Sequence, residues 1–276
     1  MSVFAPPCLL SAESLGAHQV NVLVVTWQHP FTREISAIGL LAKTLSGVYS
    51  FNYVHNVLSI EDFRPLVGFP DLYARYDADD LFPLFAQRVM TPRRPDYSSF
   101  VSALGLSDVP TPWEQLPHSG GRRAGHTLQL LPVPTQAEGI LGTWEVSFLV
   151  HGMRHIAGER RTLHAREVTV SQELQEHALR SLRPGDELRL LTEPQNPVNT
   201  QAILVADATG IPLGYMPDFL TEDLTLLGLE NLSCTAEAVN GPNVPWHMRL
   251  SAKLSCNAPA GFQFFTSSSW QLLVSS

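Results

Sequence analysis

Three short runs rich in β-branched and aromatic residues open the patterned part of the chain. They are "VNVLVVTW" from Val20, "EISAIGLLA" from Glu34 and "GVYSFNYV" from Gly47, divided by polar or glycine-bearing turns. Apolar runs of this length bounded by turn formers predict three antiparallel strands. The segment "DADDLFPLFAQRVM" (77–90) then places acids first and apolar residues at Leu81, Phe82, Leu84, Phe85 and Val89. With Asp79 as N-cap and Arg88 near the other end, both termini carry the favourable charge, and the segment predicts a helix. "DYSSFVSALGL" (96–106) predicts a shorter helix stopped by its glycine. Residues 1–18, with Pro6, Pro7 and Gly16 and no period, read as a flexible arm.

Three prolines and three glycines among polar residues make 107–126 a linker or crossing loop. Beyond it the strand runs return as "TLQLLPV", "WEVSFLVHG", "AREVTVS", "DELRLL", "AILVAD" and "IPLGYMP". Helical spacing appears in "QELQEHALRSL", which stops at Pro184 and Gly185, and in "PDFLTEDLTLLGL". The fold class is α+β. An N-terminal antiparallel sheet with helices occupies 19–106, and many short strands with one or two helices predict a small, partly open β-barrel with a C-terminal extension over 127–276.

Charge narrows the functional classes. The 276 residues hold 18 basic and 26 acidic side chains, a net charge of −8, so the chain does not coat DNA or an anionic membrane through overall charge. Any nucleic-acid site is a local patch. Only Lys43 and Lys253 among the basic residues are lysines, a bias that fits a GC-rich, bacterial genome. Cys8, Cys234 and Cys256 are odd in number and far apart, and suggest neither a disulfide framework nor a structural zinc site. No basic leader or membrane-length apolar run occurs, and the expected location is the cytoplasm.

Two family resemblances cover most of the chain. In order, "VVTW", "AIGLL", "YSFNYV", "RPL" followed by "FPDL", and "DDLFPLFAQRVM" (about 22–106) resemble the N-terminal subdomain of HipA-type toxin kinases. No catalytic-loop Asp with a following Asn appears afterwards, so the resemblance implies that front module without its kinase. Three later blocks, "VHGMRH" (150–155), "PGDELRLLTEPQNPVNTQAILV" (184–205) and "GIPLGYMP" (210–217), resemble a HIRAN domain. That family implies a small β-barrel that captures the 3′ end of single-stranded DNA. Its first pattern is Gly-x-Arg followed by aromatics, matched by Gly152 and Arg154 with His155 and Ile156 in the aromatic places. Its second is Asn-Pro-Tyr-Asp, matched by Asn196 and Pro197, with Val198 and Asn199 replacing the last two. A valine lacks the flat π-face a base stacks on, and an asparagine lacks the full anion that accepts from a 3′-hydroxyl.

The candidate nucleic-acid-binding residues are Arg154, His155, Asn196 and Asn199, with Arg160 and Arg161 at the edge and Tyr215 as a further stacking candidate. Two compatible readings stand for the asparagines: they shape a turn through bonds to their own backbone, or they hold a ligand. Arg154, Arg160, Arg161 and Arg166, with Glu159 as the countercharge among them, read as a phosphate-facing strip or as a solvated loop. "SGGRR" (119–123) reads as an anion nest or a flexible linker. His151 and His155 stand four apart without a third ligand at a usual interval, and no metal or cofactor is expected. With no nucleophile elbow or comparable catalytic motif, the expectation is a non-enzymatic nucleic-acid-binding protein whose partner is single-stranded DNA. The alternative is a protein-interaction scaffold, or antitoxin-like module, for a separately encoded kinase-type partner.

Overall fold

The computed structural model describes residues 20–123, 125–140, 142–163 and 166–274. The expected arm, Cys8 included, lies outside them. The chain divides into two compact units. The described parts of the first fall within 20–90, 120–133 and 261–274, and those of the second within 91–119 and 134–260. The fold is mixed α+β with antiparallel sheets and, among the described residues, five α-helices.

The first unit is built on a five-stranded antiparallel sheet. β1 (Val20–Gln28), β2 (Ile35–Thr44) and β3 (Tyr49–Tyr53) form the expected meander, and β4 (Tyr76–Ala78) and β5 (Leu128–Pro132) add its two edges in the order β4-β3-β2-β1-β5. Alternation sends Leu41, Phe51 and Tyr53 into the core. There Phe51 packs on Tyr53, Phe69 and Phe85 with ring centroids 4.9, 4.6 and 5.7 Å apart. The buried Tyr53 hydroxyl donates to the Phe69 carbonyl at 2.9 Å and accepts from the Leu66 amide at 2.6 Å. Phe69 is thereby core and Tyr76 part-buried, while Tyr73 is exposed.

Two expectations in this region fail for physical reasons. The long helix over 77–90 shrinks to α1 (Pro83–Ala86), while Tyr76–Ala78 pair with β3. Pro83 holds Phe82 extended (φ −49°, ψ 140°), so no helix propagates back to Asp79. Arg88 does not serve a helix end either: it is buried, and its Nη1 donates to the carbonyls of Gly121 at 2.9 Å and Leu128 at 3.2 Å.

The second unit begins with α2 (Tyr97–Ala103) and α3 (Pro112–Ser119). The latter occupies the expected linker. Thr111 and Glu114 form a capping box, with the Thr111 amide on Glu114 Oε2 at 2.6 Å and the Glu114 amide on Thr111 Oγ1 at 3.3 Å, and Trp113 and Leu116 are buried. Nor does one linker divide the modules: "TLQLLPV", assigned to the second by sequence, supplies β5 of the first sheet, because its amides pair with β1 from Leu23 to Trp27.

β6 (Thr135–Gln136), β7 (Thr143–Leu149), β10 (Glu187–Thr192), β11 (Ile203–Ala206), β12 (Pro212–Tyr215), β13 (Leu232–Val239) and β14 (Leu250–Asn257) form a seven-stranded antiparallel sheet ordered β12-β11-β10-β13-β14-β7-β6. Among the described residues its ladders run in an open order. A bridge nevertheless joins the residue beyond β7 to the far edge: His151 and Tyr215 exchange both backbone hydrogen bonds at 2.8 Å. β8 (Arg160–Leu163) pairs with β9 (Arg166–Thr169) as a separate ribbon. α4 (Gln172–Ser181), capped by Ser171 on the Leu174 amide, and α5 (Asp218–Leu227) match the two helical patterns.

Candidate functional site

The Asn-Pro segment is the turn between β10 and β11, and both asparagines are bound into it. Asn196 Oδ1 accepts from the amides of Val198 at 2.9 Å and Asn199 at 3.1 Å. Asn199 Oδ1 accepts from the Gln201 amide at 2.9 Å, while its Nδ2 donates to Asp218 Oδ1 at 3.0 Å and reaches Thr221 Oγ1 at 3.5 Å. Short polar side chains that bond backbone two and three residues on are what makes asparagine a turn former. Of the two readings, the turn-forming one is built into these contacts.

Asn196 also points inward. Its Nδ2 donates to Glu193 Oε2 at 2.6 Å, and the same oxygen accepts the Tyr215 hydroxyl at 2.8 Å. Arg161 Nε donates to the Tyr215 oxygen at 3.1 Å and stands 3.6 Å from Glu193 Oε1. Glu193 and Arg161 are only 5% and 8% exposed. A charge taken this far from water is tolerated when it is both paired and hydrogen-bonded, as here. Burial pushes the Tyr215 phenol up to about 12, with the Arg161 hydrogen bond opposing and the Glu193 carboxylate adding to the rise. The phenol therefore stays protonated and donating.

The rest of the Arg161 guanidinium fixes the neighbouring turn. Its Nη1 donates to the carbonyls of Ile156 at 2.7 Å and Glu159 at 3.1 Å, and its Nη2 to the carbonyl of His155. From α4, Gln175 Nε2 donates to the Met153 carbonyl at 2.8 Å and to Leu213 at 3.1 Å. Gly152 starts the turn in the left-handed region at φ 62°, and a Cβ there would meet Tyr215 Cδ2 at 2.9 Å, so glycine is required on both counts.

Sequence-predicted residues thus separate into two groups. Asn196, Arg161 and Tyr215 meet around Glu193. Arg161, expected at a phosphate-facing edge, is instead buried, because its fork is the partner of an internal acid and three carbonyls. Arg154 and His155 are exposed on the short 3₁₀ turn Met153–His155, and among the described residues the Arg154 side chain has no ion-pair partner. Arg160 is exposed and lies 3.5 Å from Glu167. Since neighbours on a strand face opposite ways, Arg160 and Arg161 do not form a continuous strip. Val198 is 60% exposed.

Glu193 and Gln175 were not foreseen. A single glutamate between Thr192 and Pro194 has no periodicity, and its one signal is an acid terminating an apolar strand. Among the described residues no cluster of three or more His, Cys, Asp or Glu is arranged to hold a metal, and no helix is long and apolar enough to cross a membrane.

No protein-family model matches the chain, and no curated protein does. Two of the solved structures that match are of slight similarity. One is a protein from Lactobacillus plantarum, with TM-score 0.30 and 18% identity over 43% of this chain and 100% of that one. The other is the HIRAN domain of human HLTF, with TM-score 0.25 and 15% identity over 41% of this chain and 72% of that domain. Likeness this slight does not define the fold or a ligand. The resemblance of residues 22–106 to the HipA front subdomain rests on sequence alone.

Proposed function

We propose that the second unit is a non-catalytic single-stranded nucleic-acid-binding module whose contact surface is the Gly152–Ile156 turn. The observation that carries this reading is the way the turn is held. Buried Arg161 and Gln175 bind the carbonyls of Met153, His155 and Ile156, while Arg154 and His155 stay exposed. A turn fixed from beneath presents an arginine to a phosphate and an imidazole to a base with little further loss of entropy. The sequence resemblance to HIRAN domains supports the same ligand and adds a preference for the 3′ end.

In this reading Asn196 and Asn199 shape the adjoining turn, and Val198 adds apolar contact without stacking. Affinity is then weaker than that of a module with an aromatic there, by about 1–3 kcal/mol per lost stacked base. The test is fluorescence anisotropy of oligonucleotides ending in a 3′-hydroxyl or a 3′-phosphate, at low and moderate salt. Salt-dependent binding that Arg154→Ala abolishes supports the reading, and a preference for the free hydroxyl supports end recognition. Absence of binding to either oligonucleotide at low salt refutes both.

A further inference from the structure

The first unit holds a cluster of arginines that no carboxylate answers. Arg75, Arg94, Arg160, Arg161, Arg180, Arg249 and Lys253 each lie within 3.6 Å of an Asp or Glu oxygen. Arg88, Arg122 and Arg123 belong to those that have no such partner among the described residues. Two hydrogen bonds tie the residues after α1 to the loop before β5: Arg88 Nη1 on the Gly121 carbonyl at 2.9 Å, and Arg123 Nη1 on Gln87 Oε1 at 2.6 Å. Desolvation, and after it the Arg33 charge, holds the Arg122 guanidinium below its ordinary value.

Arg88 is the unusual member. It is 6% exposed, and its Nε and Nη2 are buried with no hydrogen-bond partner. Those two nitrogens form the edge with which a guanidinium grips two oxygens of a carboxylate or phosphate. Leaving such donors unsatisfied beside further positive charge is costly, and a bound anion removes both penalties. Burial, helped by the Arg123 charge, holds the Arg88 guanidinium down at about 10, still protonated at neutral pH. The backbone completes the setting. Gly120 and Gly121 take φ of 65° and 55°, and a Cβ on Gly121 would meet Leu130 Cδ1 at 2.3 Å, so a short glycine loop is pressed against the sheet directly before two exposed arginines.

We propose that the Gly120–Arg123 loop and Arg88 form a binding site for a phosphate-type oxyanion. Arg122 and Arg123 supply the surface contacts, and the buried Arg88 supplies charge and two unsatisfied donors from behind them. The shared chemistry is a tetrahedral phosphate with at least two non-bridging anionic oxygens, met as inorganic phosphate or as the backbone phosphate of a nucleic acid. The site is independent of Arg154 and of the function proposed above.

The test is thermal unfolding of the full chain with increasing inorganic phosphate, against sodium chloride at equal ionic strength. A ligand that binds only the native state raises the midpoint with its concentration. Phosphate is expected to stabilise beyond chloride, with the apparent Kd weakened by about tenfold or more in an Arg122→Ala, Arg123→Ala double variant. Arg88→Lys, which keeps the charge and loses the fork, is expected to weaken it as well. Arg154→Ala is expected to bind phosphate as the parent does. An oligonucleotide that competes with phosphate in the Arg154→Ala protein identifies the source as nucleic acid, and failure to compete identifies free phosphate. Equal midpoints in phosphate and chloride, or an unchanged phosphate effect in the double variant, overturn the proposal.

Discussion

The side-chain amide of Asn199 donates to the carboxylate of Asp218 at 3.0 Å, tying the β10–β11 turn to the first residue of α5. This contact gives the amide at position 199 a structural role. An aspartate at 199 would face Asp218 as a second anion. Asn199→Asp is therefore expected to destabilise by about 1–2 kcal/mol at pH 7, through a lost hydrogen bond and like-charge repulsion. The sign of the pH effect follows. Crowded carboxyls have raised folded-state pKa values, so the deficit grows as pH rises above the unfolded value and shrinks towards pH 4. Urea denaturation at pH 4 and pH 7 checks it, and a deficit equal at both overturns the repulsion.

Arg161 joins three backbone carbonyls to Glu193, so truncation removes several partners at once. Arg161→Ala is expected to cost about 3–5 kcal/mol, the range for removing one member of a buried pair. Denaturant midpoints with an unchanged m-value measure this. A loss below about 1 kcal/mol, the level of an exposed ion pair, would show that Glu193 is solvated instead.

Tyr215 offers a finer probe of the same cluster. Tyr215→Phe keeps the ring against Gly152 and deletes the hydroxyl that Glu193 accepts and Arg161 feeds. The expected loss is about 1–3 kcal/mol, because a charged buried acceptor is left with fewer donors. Asn196→Ala lies in the same network, and the double variant is expected to lose less than the sum of the two. Strict additivity would mean that the two side chains do not share Glu193.

Much of the strand content was legible because its signal is local. "VNVLVVTW", "AILVAD" and "IPLGYMP" are β-rich runs between turn formers, and they are strands. Pairing was not legible: nothing in "TLQLLPV" says that its partner is β1, 100 or so residues earlier, rather than the neighbouring β7. The charges at both ends of 77–90 favour a helix, but Pro83 is a steric block that end charges worth about a few tenths of a kcal/mol do not offset. The site was half legible. Gly152, Arg154, Asn196 and Tyr215 stand in motif blocks, but burial of Arg161 depends on Glu193, which sits 32 positions away and belongs to no motif.

The two described cysteines make a prediction about reactivity. Burial pushes the Cys234 thiol up to about 12 and the Cys256 thiol up to about 11, the latter moderated by a hydrogen bond from the Trp144 backbone. The thiolate is the reactive form, so in a Cys8→Ser variant neither is expected to react with a disulfide reagent at pH 8 until the protein unfolds. Stoichiometric labelling within minutes under native conditions would contradict their burial on β13 and β14.

Glu176 on α4 links stability to acid. Its carboxylate takes both terminal nitrogens of Arg249 at 3.1 Å and Arg180 Nε at 3.2 Å. The Arg249 hydrogen bonds hold it below the ordinary glutamate range, with its modest burial opposing. A depressed folded-state pKa means that the stabilisation is complete above the unfolded value of about 4.3 and fades as pH falls through the folded one. Arg249 is 3% exposed, so the pair matters more than a surface bridge would. Glu176→Gln keeps an acceptor for one nitrogen but leaves a buried charge facing a neutral amide, and is expected to cost about 1–3 kcal/mol at pH 7. Below the folded pKa the parent loses the same charge, so the two stability curves should converge there. Curves that stay parallel from pH 7 to pH 3 would place the loss in packing of the side chain and not in its ionised form.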